Sequence, residues 1–296
     1  MTKFNFPVYL INLEHEHQRR KNSIKQLDEL DINPKIVPAY NGHQKNFPFH
    51  QYRHLSRGKW WEKDVFKPGA FACYLSHAKC WKEIAMDSAP YALILEDDMI
   101  INQEEFQKFN IDNIPNSFDI LFVNIGVTRL LELTSFKEDQ FTEDFISFNK
   151  SLLDLLMHNK FNDNLTPGGY GYIVSKQGAV KLLKMMEQDK VCMGVDYAIT
   201  FNSLNNDDIT IIKDLKEIPH YLQVYLNNIN DDTSSNYERN SLNSYIYTLP
   251  ALITPYDGES NIKHEIYTNF NVFDHNILNK LKSYFNWVNA IIKGKM

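Results

Sequence analysis

Phe6-Pro7-Val8-Tyr9-Leu10-Ile11-Asn12-Leu13 is a short apolar run rich in strand-forming residues, and it reads as a buried β-strand. A polar, basic stretch follows over 15–25, then Ile24, Leu27 and Leu30 at helical spacing. A second strand over 35–40 stops at Asn41-Gly42, a turn dipeptide. Strand, short crossover and strand imply parallel pairing, and a parallel sheet needs helices over both faces. The chain is therefore expected to be α/β. Downstream, the pattern predicts a helix from Pro68-Gly69 to about Met86, with Phe71, Leu75, Ala78 and Ala85 along one face. Strands are expected at 91–95, 118–125 and 170–174. Ser175 then caps a helix reaching about Gln188, a short helix lies near 196–202, and a strand at 209–213 completes the core. Residues 43–68 are aromatic and basic, with Arg53, Arg57, Trp60 and Trp61, and read as a functional loop that could act as a lid. Residues 126–167 follow no clear pattern.

The remaining 226–296 read as an extension on a 1–225 domain. It opens on an Asn/Asp/Ser-rich stretch, 227–243, whose composition favours a mobile loop. It ends with Ile277, Leu278, Leu281, Tyr284, Phe285, Val288, Ile291 and Ile292 at amphipathic helical spacing, beside Lys280, Lys282, Lys293 and Lys295. Such a helix either docks on the core or lies on an anionic membrane surface.

Composition narrows the function classes. With 296 residues, 43% apolar and 23% charged, the chain is neither disordered nor fibrous. Its 37 acidic against 31 basic side chains argue against a general nucleic-acid binder. Any phosphate-bearing ligand then needs a local site or a metal. Three cysteines cannot build a disulfide framework, and the first residues lack the pattern of a signal peptide. With no apolar run long enough to cross a bilayer, a soluble, cytoplasmic protein is expected.

The sharpest chemical signal is Tyr91-Ala92-Leu93-Ile94-Leu95-Glu96-Asp97-Asp98, where five apolar residues end in three carboxylates. Adjacent acids at a strand's carboxyl end repel one another unless a cation sits there, and hard oxygen ligands suit Mg²⁺ or Mn²⁺ bridging to a diphosphate. A solvated acidic loop is the plainer alternative. Cys73, His77 and Cys80 share one helix face at i, i+4 and i+7, but lack the fourth ligand of a structural zinc site, so core packing accounts better for the cysteines.

Three spaced segments together resemble glycosyltransferase family 25, which contains bacterial lipooligosaccharide galactosyltransferases and collagen galactosyltransferases. The first is Val8-Tyr9-Leu10-Ile11-Asn12-Leu13 with Arg19-Arg20 behind it. The second is Gly69-Ala70-Phe71-Ala72-Cys73-Tyr74-Leu75-Ser76-His77 and Trp81, leading to Glu96-Asp97-Asp98. The third is Gly171-Tyr172-Ile173-Val174-Ser175-Lys176-Gln177-Gly178-Ala179 with Leu182-Leu183, then Val195-Asp196. Ala70 stands where family members often carry an acid.

The resemblance implies a GT-A-like, Rossmann-type, mostly parallel sheet and an inverting, metal-dependent transfer of a hexose. The donor it implies is UDP-galactose, and the acceptor a glycolipid oligosaccharide such as lipooligosaccharide or LPS. It makes Glu96-Asp97-Asp98 a DxD-like motif. Asp98 is then the direct metal ligand, Glu96 the other outer acid, and Asp97 or Glu96 a holder of metal-bound water or ribose. His220 is the candidate further ligand. Asp196 is either the general base that deprotonates the acceptor or a helix cap, or both. Donor contacts are expected from the end of the first strand (Leu10, Asn12), from Arg19 and Arg20, and from Gly69, Ser76 and His77. Gly171 and Tyr172 face the sugar or belong to the core. A cytoplasmic enzyme, in peripheral contact with the inner membrane through 277–292, follows from that acceptor. Two other classes stay open: a non-catalytic nucleotide-sugar or glycan-binding module, and an aspartyl-phosphate, Mg²⁺-dependent phosphotransfer enzyme.

Overall fold

The computed structural model describes residues 6–44, 47, 49–55, 68–110, 113, 117–124, 145–158, 168–191, 193–219, 222–223, 225–227, 241–247 and 251–255. In chain order the elements are β1 (Val8–Asn12), α1 (His17–Asp28), β2 (Lys35–Pro38), α2 (Phe49–Tyr52), α3 (Pro68–Met86), β3 (Tyr91–Glu96), β4 (Met99–Ile101) and α4 (Gln103–Lys108). They continue as β5 (Ile120–Phe122), β6 (Phe145–Ser147), α5 (Phe148–Met157), β7 (Gly171–Ser175), α6 (Lys176–Asp189), α7 (Val195–Phe201), α8 (Asn206–Lys213), β8 (Ser244–Tyr247) and β9 (Ile253–Pro255).

The central sheet has the order β2-β1-β3-β7-β5-β8-β6, and β4 pairs with β9 in a separate ribbon. Strands β2, β1, β3, β5 and β8 run one way and β7 and β6 the other, so the sheet is mostly parallel. Every residue of β1 is buried, as expected where helices cover both faces. Tyr9 and Ile11 pack with Phe71 and Trp81 of α3 on one face. Val8 and Leu10 pack with Leu27 of α1 and Phe106 of α4 on the other. Fully burying a side chain of the size of Leu or Phe stabilises by about 1.5–3 kcal/mol, so this two-faced packing fixes where the strand ends lie. The α/β, helix-flanked sheet expected from the sequence is the fold observed.

Residues 209–213 are not a strand. They belong to α8, whose start is set by a reciprocal cap: Asn205 Oδ1 accepts the Asp208 amide at 2.9 Å and the Asp208 carboxylate accepts the Asn205 amide at 2.9 Å. The β-branched run favours a strand by propensity, but two satisfied helix-end donors and the burial of Ile209 and Ile212 on one side select the helix. The unpatterned 126–167 stretch supplies β6 and α5. From the 226–296 extension, β8 enters the central sheet between β5 and β6, and β9 pairs with β4. The 277–292 segment, most of 227–243 and, from the 43–68 loop, Arg57, Trp60 and Trp61 lie outside the described residues. No helix among the described residues is long and apolar enough to cross a membrane.

Candidate active site

Because β1, β2 and β3 are parallel, their carboxyl ends finish together: Ile11 lies level with Glu96, and Asn12 with Pro38. Open α/β sheets bind ligands beyond such ends, and a cleft lies there. It spans about 630 Å³, open solvent at its mouth included. Its walls are Ile11, Leu13 and Arg19, the segment after β2 from Ala39 to His43, and Gly69, Cys73 and Ser76 of α3; its fourth side is Glu96, Asp97 and Asp98. Gly69, Cys73 and Ser76 share a helix face at i, i+4 and i+7. Gly42 is pressed so closely on the start of α3 that a Cβ there would lie 2.2 Å from the Pro68 carbonyl oxygen.

The antiparallel insertion of β7 brings a further wall. Leu95 lies level with Gly171, so the turn preceding β7 arrives beside the end of β3. Gly168 takes the left-handed conformation (φ 65°), which glycine adopts without strain. Asn124 donates from Nδ2 to the carbonyls of Gly168 (3.2 Å) and Gly171 (2.9 Å), and the Glu96 amide donates to the Tyr170 carbonyl at 3.2 Å. A Cβ at Gly169 would lie 2.7 Å from Glu96 Oε1.

Asp97 is held by Asn12, whose Nδ2 donates to Oδ2 at 2.5 Å, with Arg19 at 3.8 Å from Oδ1. Burial nevertheless pushes its carboxyl up to about 6. Asp98 is pushed up to about 7 by burial and then by the neighbouring Glu96 and Asp97. Its Oδ1 is buried without a hydrogen-bond partner among the described residues, and so is Asn12 Oδ1. Burial also raises Asp196, with Glu96 adding to it against the opposing Tyr197 amide. The Cys73 thiol is raised by burial and then by Glu96, Asp196 and Asp98, so these side chains share one electrostatic environment. Two orphaned hard oxygens beside adjacent carboxylates fit a hard divalent cation such as Mg²⁺ or Mn²⁺. Cys73, His77 and Glu96 also bring one ligand-type atom each to within 4.8 Å of one another.

The structure thus brings Asn12, Arg19, Gly69, Ser76, His77, Glu96, Asp97, Asp98 and Asp196 to one end of the sheet, and it redistributes several expected roles. Leu10 sits inside β1 with its neighbours paired on both sides, so its backbone belongs to the sheet and not to a ligand. Arg20 lies off the cleft wall, its guanidinium 3.3 Å from His17 Nδ1. The buried Ser76 hydroxyl accepts the Tyr40 amide at 2.8 Å and donates to the Ala72 carbonyl at 2.7 Å, so it positions the segment after β2. Gly171 is covered by Ile253. Tyr172 is 1% exposed and packs in the core, which removes a stacking role on a sugar. Asp196 does not hold the N-cap position, which is Gly194; it lies in the first turn of α7, its carboxylate engaged with the Tyr197 amide. Cys80 is buried away from the cleft, with Glu83 and Lys79 as its charged neighbours. His220 lies outside the described residues.

Sequence reasoning missed the segment from Ala39 to Gly42 and the packing of Gly169 on Glu96. The first had a signal: Asn41-Gly42 directly follows a parallel strand beside β1. The second had only the Gly168-Gly169 pair, which carries no partner information.

The family described as glycosyltransferase family 25 (LPS biosynthesis protein) matches residues 5–199. Procollagen galactosyltransferase 1-B of Xenopus laevis is 33% identical over 108 residues, which is 31% of this chain and 16% of that protein. A glycosyltransferase 25 family member of Aedes aegypti is 25% identical over 218 residues, 68% of this chain and 32% of that protein. Procollagen galactosyltransferase 2 of Homo sapiens is 24% identical over 188 residues, 60% and 27% respectively. The matched part of the chain thus spans less than a third of these relatives' length. A solved glycosyltransferase involved in glycosylation of the major capsid of PBCV-1 covers 88% of this chain and 97% of its own, at 8% identity and a TM-score of 0.35, a likeness too low to carry an argument.

Proposed function

Because the chain belongs to glycosyltransferase family 25, we propose that it is an inverting, metal-dependent glycosyltransferase that moves galactose from UDP-galactose onto a lipooligosaccharide or LPS acceptor. The observation that carries this reading is the buried Oδ1 of Asp98 at the carboxyl end of β3, unpartnered among the described residues, with a separate carboxylate, Asp196, in the same electrostatic neighbourhood. Donor sugar and acceptor follow the relatives' description as galactosyltransferases and the family's as an LPS biosynthesis protein.

Asp98 and Glu96 would hold the cation, and Asn12 and Arg19 fix Asp97 beside them. A bound divalent cation would supply positive charge for the departing diphosphate. Asp196 takes the proton of the acceptor hydroxyl as its oxygen attacks the anomeric carbon. The new C–O bond forms while the anomeric carbon–phosphate oxygen bond breaks, its electron pair leaving on the nucleoside diphosphate. An upward-shifted Asp196 is a stronger base than a solvated aspartate, which suits that step. The Ala39–His43 wall, beside the ends of β1 and β2, is the part of the cleft left for the nucleoside. A cytoplasmic enzyme, with the basic amphipathic 277–292 segment directed at the membrane bearing the acceptor, completes the reading.

The test is to incubate purified protein with a panel of UDP-sugars and Mn²⁺ and follow free UDP, then analyse acceptor products. Release specific to UDP-galactose is expected. Nucleotide binding without turnover would make the chain a binding module instead. Phosphorylation of an aspartate by a small phosphodonor would make it a phosphotransfer enzyme.

A further inference from the structure

Trp81, Tyr172, His77 and Glu96 form one chain of hydrogen bonds from the core to the cleft. Trp81 Nε1 donates to the Tyr172 hydroxyl oxygen at 2.8 Å, that hydroxyl lies 2.9 Å from His77 Nδ1, and His77 Nε2 lies 3.2 Å from Glu96 Oε1. Donor and acceptor chemistry gives the chain a direction. An indole N–H only donates, so the Tyr172 oxygen must accept from it. The hydrogen of Tyr172 then has a single acceptor among the described residues, His77 Nδ1. A bare Nδ1 puts the proton of a neutral imidazole on Nε2, aimed at a carboxylate oxygen. Neither ring can turn away: His77 is wholly buried, Tyr172 nearly so, and the two stack at 5.7 Å between centroids with planes 16° apart.

We propose that Trp81 and Tyr172 lock His77 in its Nε2–H tautomer, and that His77 thereby clamps Glu96 Oε1 beside Gly169 and leaves Oε2 as the ligand-facing oxygen. Glu96 Oε2 has no hydrogen-bond partner among the described residues. His77 and Tyr172 are positioning residues, acting through Glu96. The competing arrangement is a soft metal held by Cys73, His77 and Glu96. It would need a bare Nε2 and a protonated Nδ1, leaving the Tyr172 hydrogen in the core without an acceptor, a costly state. The proposal rests on the donor-site reading only for what Glu96 does; the tautomer is independent of it.

Two measurements on the full chain test it. In ¹⁵N-histidine NMR, the resonance lost in His77→Gln should report a protonated Nε2 and a bare Nδ1. A protonated Nδ1 with bare Nε2, or an imidazolium, overturns the lock. In turnover of UDP-galactose with Mn²⁺, His77→Phe should lower kcat by ~10–100-fold with KM for the donor little changed, the usual cost of losing a partner behind a ligating group. His77→Gln, whose amide N–H can reach Glu96, should recover most of that loss. A merely structural histidine predicts the reverse order, because Phe keeps a stacked ring in the buried seat and Gln puts an amide there. If the wild-type chain turns over no UDP-sugar, the donor-site reading fails while the tautomer measurement still decides the lock.

Discussion

Asp119 and Asp98 are low-exposure carboxylates at opposite strand ends of one sheet, and the fold treats them differently. Asp119 is 2% exposed, precedes β5 and is paired through one oxygen: Oδ2 lies 2.5 Å from Lys181 Nζ and accepts the Asn243 amide at 2.8 Å. Through these contacts it ties α6 and the approach to β8 to the sheet. Asp98 sits beyond β3 beside two more acids, with an oxygen that meets no donor among the described residues and a carboxyl pushed up to about 7. Burying a carboxylate with its partners secures a fold, whereas burying one without them costs stability unless something binds there. The contrast separates a structural acid from one held open for a ligand.

The comparison can be broken in four places. The largest effect is expected at Asp196: Asp196→Asn should lower kcat by roughly 10²–10⁴-fold, the span of general-base contributions, with donor affinity by calorimetry nearly unchanged. Retained turnover would remove Asp196 from that role.

Asp98→Asn should abolish Mn²⁺-supported donor binding and, without divalent cation, stabilise the fold. A carboxyl raised in the folded state contributes stability that is fully present below the unfolded value and lost as pH rises through the folded one. For Asp98 that window runs from about 4, the ordinary aspartate value, up to about 7. The variant should therefore exceed the wild type by roughly 2–4 kcal/mol at pH 8 and match it near pH 4 in denaturant unfolding, with Mn²⁺ closing the gap at pH 8. Equal stabilities at both pH values would show that Asp98 meets no such cost.

Asp119→Asn should do the opposite, losing about 2–3 kcal/mol of stability by the same measurement while kcat of the folded protein stays unchanged. The smallest effect is expected at Gly169→Ala, whose methyl group must displace Glu96 Oε1. Turnover should fall ~10-fold, as for other disturbances of a ligating carboxylate's support, with a melting temperature within a few degrees of wild type.

Much of the scaffold was legible because it is written locally. The uninterrupted apolar run of β1 marks a strand covered on both faces, and the break from Leu95 to Glu96 marks where β3 leaves the core. The α8 segment was misread because β-branched residues carry a strand signal, while the deciding Asn205–Asp208 cap is a matter of hydrogen-bond geometry. In the site, the acids were visible as a cluster. The difference between Asp98 and Asp119 was not, since it depends on Lys181 and Asn243, distant in the chain.

The sequence by itself determined the α/β class and the strand end where three acids gather, because periodicity and abrupt polarity changes are properties of neighbouring residues; Asp196 entered as a candidate base only through the family resemblance. Only the tertiary structure decided that β7 enters antiparallel, and this carries the Gly169 turn onto Glu96 and points Tyr172 inward at His77 and Trp81. Strand order and direction follow from how whole layers pack, so contacts between residues about a hundred positions apart are set by that packing and not by any local pattern.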